Sequence, residues 1–468
     1  MNPTWPEHFA AEVVRPGFGG RLSSYTIALE AWRRGLTVTF NDPILRKYTI
    51  SDDVGRTVRF LRARPHMTTR SAVRVANDKY QTHELLRHAG VPTPEAKMFD
   101  SKSTSWRDLA NAAEEIGYPV VLKPLAGSMG RGVFANITSP NNLKERFDYL
   151  TRELKEAKIV LEEHVAGDDF RVLVVGGQVA GACQRVPANI VGDGRRSVDE
   201  LISTKNTARQ ENPFLSKGLI LKDYETEVHL ANHGLDYTSV PGNGDYIQLR
   251  SAANASAGGD VVDVTDTLPE RITSAAVSAI QAVPELFCAG VDVLYDTASG
   301  RDNPSFTILE LNAHPQIGVN MYPSHGVGSD APKVVVDQCF PNSYRDADSD
   351  LRDVSFELSG LLFPLTCGAA QSITLAPIPA HRWAYRRAVT MSPAANLEPD
   401  SRRRLLRAAH RRGLAGRLRP ASDETHLLVA GEQQGVQEFI RLSQRILKTE
   451  LVGETAWTGP VMAGFFID

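Results

Sequence analysis

Two apolar stretches carry side chains whose oxygens could hold a metal ion. The stretch FTILELNAHPQ alternates as a strand does, so Ile308, Glu310 and Asn312 are expected on one face. Upstream, AGVDVLYD is a second apolar strand with Asp292 between two valines. If these strands pair, Asp292, Glu310 and Asn312 form an all-oxygen cluster of the kind that Mg²⁺ prefers. A single acid on a strand more often lies on a solvated face, so the metal interpretation depends on the residues around it.

A glycine-rich stretch, VLKPLAGSMGRGVF, supplies one such set of residues. It places Lys123 at the end of a predicted strand, ahead of Gly127, Gly130 and Gly132. Backbone N–H groups in a glycine-rich turn can converge on phosphate oxygens, because no side chain blocks the approach. A P-loop is disfavoured, since its lysine follows the last glycine, and the spacing also misses the dinucleotide pattern. Taken alone, such a turn more often connects a hairpin.

A third stretch, IVLEEHVAGDDFRVLVVGGQV, places acids between two predicted strands. Glu162 and Asp169 lie on either side of a bend at Gly167. Carboxylates at a strand end can accept hydrogen bonds from an adenine amino group or from ribose hydroxyls. Taken singly, these acids are more often plain surface charge.

These residues need strands and helices to position them, and a 468-residue chain has room for two to four domains. Residues 15–42 indicate a glycine turn, a helix and a strand, which make a small α/β unit. A helix is expected from Asn77 to a glycine and proline stop at Gly90 and Pro92. Strand and helix patterns then alternate as far as Phe340, which predicts an α/β region.

Composition limits the class of protein. Hydrophobic residues at 42%, charged residues at 23% and a net charge of −3 fit a globular protein and give no case for nucleic-acid binding. Four cysteines without CxxC spacing indicate neither a disulfide framework nor a zinc site.

The N-terminus has no apolar core of a secretory signal. The uncharged run Leu358–Ala380 contains prolines and is interpreted as buried strands and turns, not a membrane span. The expected location is the cytoplasm, without a membrane partner.

Six ordered motifs identify a family. They are DKYQTHELLRHAGVPTP, EEIGYPVVLKPLAGSMGRGV, VLEEHVAGDDFRVLVVGGQVAGACQRVPANIVGDG, LRSAANASAGGDVVDVTD, AGVDVLYD and LELNAHPQIGVNMYPS. With them, residues 78–341 resemble the ATP-grasp domain of cyanophycin synthetase and of bifunctional glutathione synthetases. The resemblance implies an α/β (α+β) chain with a pre-ATP-grasp α/β unit at 1–76, an ATP-grasp domain at 77–341 and a linker at 342–354.

The resemblance also implies a role for each matching residue. Arg250 and Asn254, in LRSAAN, would stabilise the acyl-phosphate and the tetrahedral intermediate that follows it. Mg²⁺, expected as two ions with Mn²⁺ as an alternative, would be held by Asp292, Glu310 and Asn312. Eight residues are expected to bind ATP, through its phosphates, in the lid over the phosphates, on the adenine side or at the ribose. They are Lys79, Lys123, Gly127, Ser128, Gly130, Gly132, Glu162 and Asp169.

The activity implied is that of an ATP-dependent ligase that joins the carboxylate of an amino acid or short peptide to an amine. A homo-oligomer acting on small-molecule substrates is expected. Two alternatives stay open at this point. One is a binding module that retains ATP as a regulatory ligand without ligase turnover, and the other is a kinase-like transfer that stops at a phosphorylated product.

The C-terminal tail, residues 355–468, resembles acylphosphatase. The stretch SRRRLLRAAHRRGLAGRLRPASDETHLLVAGEQQGVQEFIRLSQRI has the order helix, strand pair and second helix, and Pro420 stands where active relatives have an asparagine. We therefore expect an acylphosphatase-like fold without hydrolase activity. The alternatives are a ferredoxin-like α+β module whose arginines line a solvated helix face, and basic residues that help to capture an acidic substrate.

Overall fold

The computed structural model describes residues 3–125, 132–297, 305–343, 353–379 and 382–468. Its α-helices, in chain order, are α1 (Ala11–Val14), α2 (Leu22–Arg33), α3 (Arg70–Asn77), α4 (Lys79–His88), α5 (Trp106–Ile116), α6 (Pro140–Asp148), α7 (Val198–Glu211), α8 (Tyr224–Asn232), α9 (Glu270–Gln281), α10 (Gly318–Met321), α11 (Ala331–Cys339), α12 (Leu358–Thr366), α13 (Pro399–Arg411) and α14 (Gln433–Leu447).

The strands, in chain order, are β1 (Thr37–Phe40), β2 (Lys47–Ser51), β3 (Thr57–Leu61), β4 (Arg64–Pro65), β5 (Ala96–Asp100), β6 (Val120–Pro124), β7 (Phe134–Ile137), β8 (Lys158–Glu163), β9 (Asp168–Val175), β10 (Gln178–Val186), β11 (Asn189–Val191), β12 (Tyr246–Gln248), β13 (Asp260–Asp263), β14 (Cys288–Tyr295), β15 (Phe306–Asn312), β16 (Val354–Ser355), β17 (Ile373–Leu375), β18 (Tyr385–Ser392), β19 (Ala415–Pro420), β20 (Thr425–Gly431), β21 (Glu450–Ala456), β22 (Val461–Met462) and β23 (Phe465–Ile467).

The chain forms two compact units. One combines Ala63–Gln338 with the short segment that ends at Trp5, and the other combines Pro6–Arg62 with Cys339–Asp468. The boundaries expected at residues 76, 341 and 354 stay predictions. Most of the expected linker at 342–354 lies outside the described residues.

A five-stranded sheet forms the centre of the first unit, in the order β13-β10-β9-β14-β15, with antiparallel neighbours. Side chains along its strands alternate between the two faces of the sheet, so that one face is apolar and packs on α9 and α3. The buried side chains of that face include Val172, Val174, Val291, Val293 and Ile308. The residues between them point to the opposite face, which is where the charged side chains of these strands lie.

A β-bulge changes the expected facing of β15. Glu310 pairs with Asp292, but the next pair is Ile308 with Val293, so Leu309 is an inserted residue. Ile308 is therefore fully buried in the apolar core while Glu310 faces the other way. The prediction that Ile308 and Glu310 share a face is wrong, because one extra residue between them reverses the alternation.

A second sheet of the first unit has the order β5-β8-β6-β7. Leu122 and Leu161 pair across β6 and β8 and are buried under Leu109 of α5 and Phe147 of α6. A smaller layer consists of the ribbon β11-β12, with α7 and α8, around a core that includes Ile247 and Leu249. In these layers, the backbone of β6, of β8 and of the segment after β12 positions polar side chains.

The helix expected after Asn77 is confirmed as α4. Its N-cap is Asp78, whose Oδ1 accepts a hydrogen bond from the N–H of Gln81 at 3.0 Å. The helix ends before Gly90, which has a φ of +70°. The cap places Lys79 at the first helical position, at the edge of the five-stranded sheet, where α4 contacts β15.

The second unit contains a sheet in which four of its strands follow the order β17-β1-β2-β3. Helix α2 contacts β1, and the buried Tyr25 of α2 donates its hydroxyl to the carbonyl of Phe356 at 3.0 Å. The helix and strand expected within residues 15–42 are confirmed. The run that starts at Leu358 was expected to form strands and turns, but its first part is α12, with Pro364 inside the helix.

The C-terminal sheet of the second unit has the order β21-β18-β20-β19-β23. Along the chain its elements run β-α-β-β-α-β from β18 to β21, with α13 and α14 on one face. The expected order of helix, strand pair and second helix is confirmed, whereas the likeness to acylphosphatase stays a prediction. Among the described residues, no helix is both long enough and apolar enough to cross a membrane.

Candidate active site

Charged side chains from four neighbouring strands, β10, β9, β14 and β15, meet on the polar face of the central sheet. Asp292 pairs in register with Glu310 on one side and with Arg171 on the other. Its Oδ1 accepts a hydrogen bond from Nη1 of Arg171 at 2.9 Å, and its Oδ2 lies 3.2 Å from Nη2 of Arg185. Arg185 also donates to Asp169 Oδ1, at 2.8 Å from Nε and 2.5 Å from Nη2. Strand register thus assembles two carboxylates and two guanidinium groups around Asp292.

Glu310 is the more exposed of the two paired acids. Its Oε2 lies 3.8 Å from Nζ of Lys79, and its side chain is 40% exposed. Partial burial, together with the negative charge of Asp292, raises the pKa of Glu310. Burial also raises the pKa of Asp169 to about 6, against the lowering effect of Arg185. A further cation at this face would relieve the repulsion between the carboxylates of Asp292 and Glu310.

Asn312 lies two residues beyond Glu310 and pairs with Gly290. Its Oδ1 accepts a hydrogen bond from the N–H of His314 at 2.9 Å. In the described part of the chain, no three His, Cys, Asp or Glu side chains are grouped to hold a metal. The cluster of Asp292, Glu310 and Asn312 therefore offers two carboxylates and one amide. That donor set fits Mg²⁺, which commonly takes one or two protein carboxylates and completes its shell with water and phosphate.

A buried ion pair joins β6 to β8 in the four-stranded sheet. Nζ of Lys123 lies 2.5 Å from Oε1 of Glu162, and the two side chains are only 7% and 5% exposed. The other carboxylate oxygen of Glu162, Oε2, is buried and has no hydrogen-bond partner in the described residues. A buried acceptor without a donor is costly, so this oxygen fits an incoming N–H group such as an adenine amino group.

His83 of α4 links the two sheets. It is buried, and its Nε2 lies 3.1 Å from the carbonyl oxygen of Leu309 on β15. Burial lowers the pKa of His83. The negative charge of Glu162 raises this pKa, and the positive charge of Lys123 lowers it. The Lys123–Glu162 pair is therefore close to the edge of the sheet that carries Glu310.

The glycine-rich segment is described only at its end. Gly127, Ser128 and Gly130 lie outside the described residues. Gly132 has a φ of +73°, a conformation that favours glycine, and a Cβ there would lie 3.1 Å from side-chain atoms of Leu150 and Pro124. Gly132 thus lies close to Pro124, the last residue of β6.

Arg250 lies just after β12 and is almost fully buried. Its Nη2 pairs with Asp223 and its Nη1 with Glu225, on either side of the start of α8. Asn254 follows in the same segment, and its Oδ1 accepts a hydrogen bond from the N–H of Ser256 at 2.9 Å. The two residues expected to be catalytic are thus held in one short segment that begins where the ribbon ends.

Sequence reasoning missed Arg171 and Arg185. Both lie on the polar face because Arg171 pairs with Asp292 and Arg185 pairs with Asp169. The signal was the single arginine in each of two largely apolar strands, in DDFRVLVV and AGACQRV. A charge on a buried strand requires a partner, so each arginine indicated an acid on a neighbouring strand.

Part of the chain matches a known protein family: residues 76–199 match the RimK-like ATP-grasp domain. The match spans Lys79, Lys123, Glu162, Asp169 and both arginines of the polar face.

The chain is also similar to parts of longer proteins. The glutathione biosynthesis bifunctional protein GshAB of Clostridium perfringens is 29% identical over 331 residues, which is 68% of this chain and 41% of that protein. Cyanophycin synthetase of Crocosphaera subtropica is 32% identical over 279 residues, which is 58% of this chain and 31% of that protein. The crystal structure of a bifunctional glutathione synthetase from Pasteurella multocida shares the fold, with a TM-score of 0.56 and 22% identity over 72% of this chain and 45% of that one. The chain thus spans less than half the length of these relatives.

Proposed function

We propose that the chain is an ATP-dependent carboxylate–amine ligase that forms an amide bond through an acyl-phosphate. The observation that carries this proposal is the register of β14 and β15, which sets Asp292 opposite Glu310 beside two arginines and Lys79. Carboxylates that bind metal, and cations that bind phosphate, are the groups that phosphoryl transfer requires. The relatives whose names are ligases or synthetases support the same class of reaction.

The Lys123–Glu162 pair would bind the nucleotide. Oε2 of Glu162 would accept from the adenine amino group, and the ammonium groups of Lys123 and Lys79 would contact phosphate oxygens. The glycine segment, with Gly132 at its described end, would cover the phosphates. Asp169 already accepts hydrogen bonds from Arg185. Its expected contact with the ribose therefore requires that it also accept a hydrogen bond from a ribose hydroxyl.

The polar face would bind the reacting groups. Bound Mg²⁺, held by Asp292, Glu310 and Asn312, would offset the charge that gathers on the transferred phosphoryl group. Arg171 and Arg185 would orient Asp292 and place positive charge beside the phosphates. Because the acyl-phosphate would react with water, exclusion of water by the covering segment would protect it.

The segment after β12 would act on the acceptor carboxylate. A carboxylate is a poor electrophile until it is phosphorylated, after which an amine can displace the phosphate. Arg250 would stabilise the anionic oxygens of the acyl-phosphate, and the amide of Asn254 would donate to the tetrahedral intermediate. The carboxylates of Asp223 and Glu225 neutralise the buried guanidinium of Arg250 and fix its orientation.

A substrate panel tests this proposal directly. The full chain is incubated with ATP and Mg²⁺ and with amino acids and dipeptides, singly and in pairs with amines, and ADP and new amide products are measured. We expect ADP formation that depends on both a carboxylate and an amine. Binding of ATP without any substrate-dependent ADP across the panel would instead support a regulatory module. A phosphorylated end product, detected by mass spectrometry, would support the kinase-like alternative.

Gly290→Ala tests whether Arg171 orients Asp292. A Cβ at Gly290 would lie 2.5 Å from Nη2 and 2.6 Å from Nε of Arg171, so the guanidinium must move. The pair of Arg171 with Asp292 is only 12% and 7% exposed, so stability should fall as well, and kcat is measured on protein shown to be folded. Since a hydrogen bond to a charged group contributes about 1.5–3 kcal/mol, we expect kcat to fall roughly tenfold or more. Gly453→Ala, where a Cβ meets nothing within 4 Å, is the control. Unchanged turnover and Mg²⁺ dependence in Gly290→Ala would show that Arg171 has no such role.

A further inference from the structure

One buried arginine outside the charge network of the site binds the segment that carries Asn254. Arg209 lies on α7 and is 3% exposed. Its Nε donates to the carbonyl of Gly218 at 2.7 Å, its Nη1 to the carbonyl of Gly259 at 3.0 Å and its Nη2 to the carbonyl of Ala255 at 2.9 Å. All three nitrogens of one planar group are thus used on three backbone carbonyls.

The carboxylate nearest to Arg209 is engaged elsewhere. Oδ1 of Asp260 lies 3.5 Å from Nη1 of Arg209, whereas Oδ2 accepts from Lys205 at 2.6 Å and from Asn189 at 2.9 Å. Lys205 is one helical turn before Arg209 on α7. The guanidinium is therefore oriented chiefly by the carbonyls, and its fork geometry fixes their relative positions.

Two of these carbonyls, those of Ala255 and Gly259, belong to a tight turn that begins at Asn254. The carbonyl of Asn254 accepts from the N–H of Ala257 at 2.9 Å and from the N–H of Gly259 at 3.0 Å. Ala255, whose carbonyl Arg209 binds, is the next residue in the chain. The backbone that follows Asn254, from Ala255 to Gly259, is consequently tied to α7 through one side chain.

We infer that Arg209 is a positioning residue for the ligase reaction: it holds the carbonyls of Ala255 and Gly259 and so aims the side chain of Asn254. The inference rests on the proposed function, since that function gives Asn254 its role. Arg209 itself touches no group that we assign to substrate. It acts on the reaction only through the turn.

Arg209→Lys isolates the geometry of the guanidinium from its charge. A lysine keeps the positive charge, but its single nitrogen cannot hold three carbonyls in a fixed plane. A displacement of about 1 Å at a catalytic group can cost roughly 10²-fold in rate, so kcat should fall by about that factor. The ATP contacts of Lys123 and Glu162 lie on other strands, so the Kd for ATP should stay within about twofold of the wild-type value.

A double-mutant cycle gives the decisive readout. If Arg209 acts through Asn254, then Arg209→Lys combined with Asn254→Ala should have the same kcat as Asn254→Ala alone. Independent losses that multiply in the double variant would overturn the inference, as would a kcat for Arg209→Lys close to that of wild type. Arg107→Lys, on the exposed face of α5, is the matched control and should keep full activity.

Hydrogen exchange separates this inference from the proposed function. In Arg209→Lys, the amides of Ala257 and Gly259 should exchange faster, with the central sheet unchanged, even if the wild-type protein proves to have no ligase activity. Unchanged exchange at these two amides, or failure of Arg209→Lys to fold, would show that Arg209 does not specifically position the turn. Absence of activity in the wild type together with faster exchange in the variant would contradict the ligase proposal and leave the link from Arg209 to the turn supported.

Discussion

Glu310→Gln is expected to lower kcat by roughly two to four orders of magnitude, because metal-assisted stabilisation of charge contributes several kcal/mol. The substitution removes one negative charge at nearly constant shape. Partial burial and the charge of Asp292 raise the pKa of Glu310, which means that the ionised pair repels in the free protein. The neutral amide should therefore leave stability unchanged or slightly higher, while ATP still binds weakly.

The Glu310 experiment compares turnover at limiting and saturating Mg²⁺ with the melting temperature of the same variant. Glu145→Gln, on the exposed surface of α6, is the matched control and should behave as wild type. Loss of activity without loss of stability would agree with a metal ligand. Near-normal turnover at limiting Mg²⁺ would contradict the assignment of Glu310.

The sequence predicted the pairing of the two strands better than the shape of the strand that carries Glu310. The pairing of Asp292 with Glu310 follows from two apolar strands that each carry an acid at an internal position. The bulge at Leu309 could not be predicted, because a period-two pattern gives no sign of an inserted residue when that residue is apolar like its neighbour Ile308. Arg171 was missed because its partner Asp292 is 121 residues away. Arg185 was missed although Asp169 is only 16 residues away, because it becomes a partner only through the register of β9 and β10.

Non-local pairing limited the prediction of the second unit as well. Helix α2 and strand β1 are recognisable from local pattern, but β1 also pairs with β17, with Val38 opposite Leu375. Nothing in either short strand specifies a partner more than 300 residues away. Helix α12 was missed for a different reason: Pro364 suggested a break, yet packing of Leu358, Leu362 and Leu365 in the core offsets its cost.

Lys123→Met is expected to lower the free energy of unfolding of its unit by about 3–5 kcal/mol, because it leaves the carboxylate of Glu162 buried without its partner. The double variant Lys123→Met/Glu162→Gln should recover most of that loss, since no buried charge remains. Lys97→Met provides the control: it breaks a more exposed pair with Glu115, so it should change stability by about 0–1 kcal/mol.

Stability and nucleotide binding should then separate in the Lys123–Glu162 double variant. If Lys123 contacts phosphate and Glu162 accepts from adenine, recovery of stability cannot restore affinity, because both groups that bind ATP are gone. Urea unfolding and calorimetric titration with ATP, on the same three proteins, measure the two quantities independently. A double variant that binds ATP as tightly as wild type would mean that the pair serves only the fold. Weak binding in a protein of restored stability would instead require that ATP be bound by the ammonium of Lys123, the carboxylate of Glu162 or both.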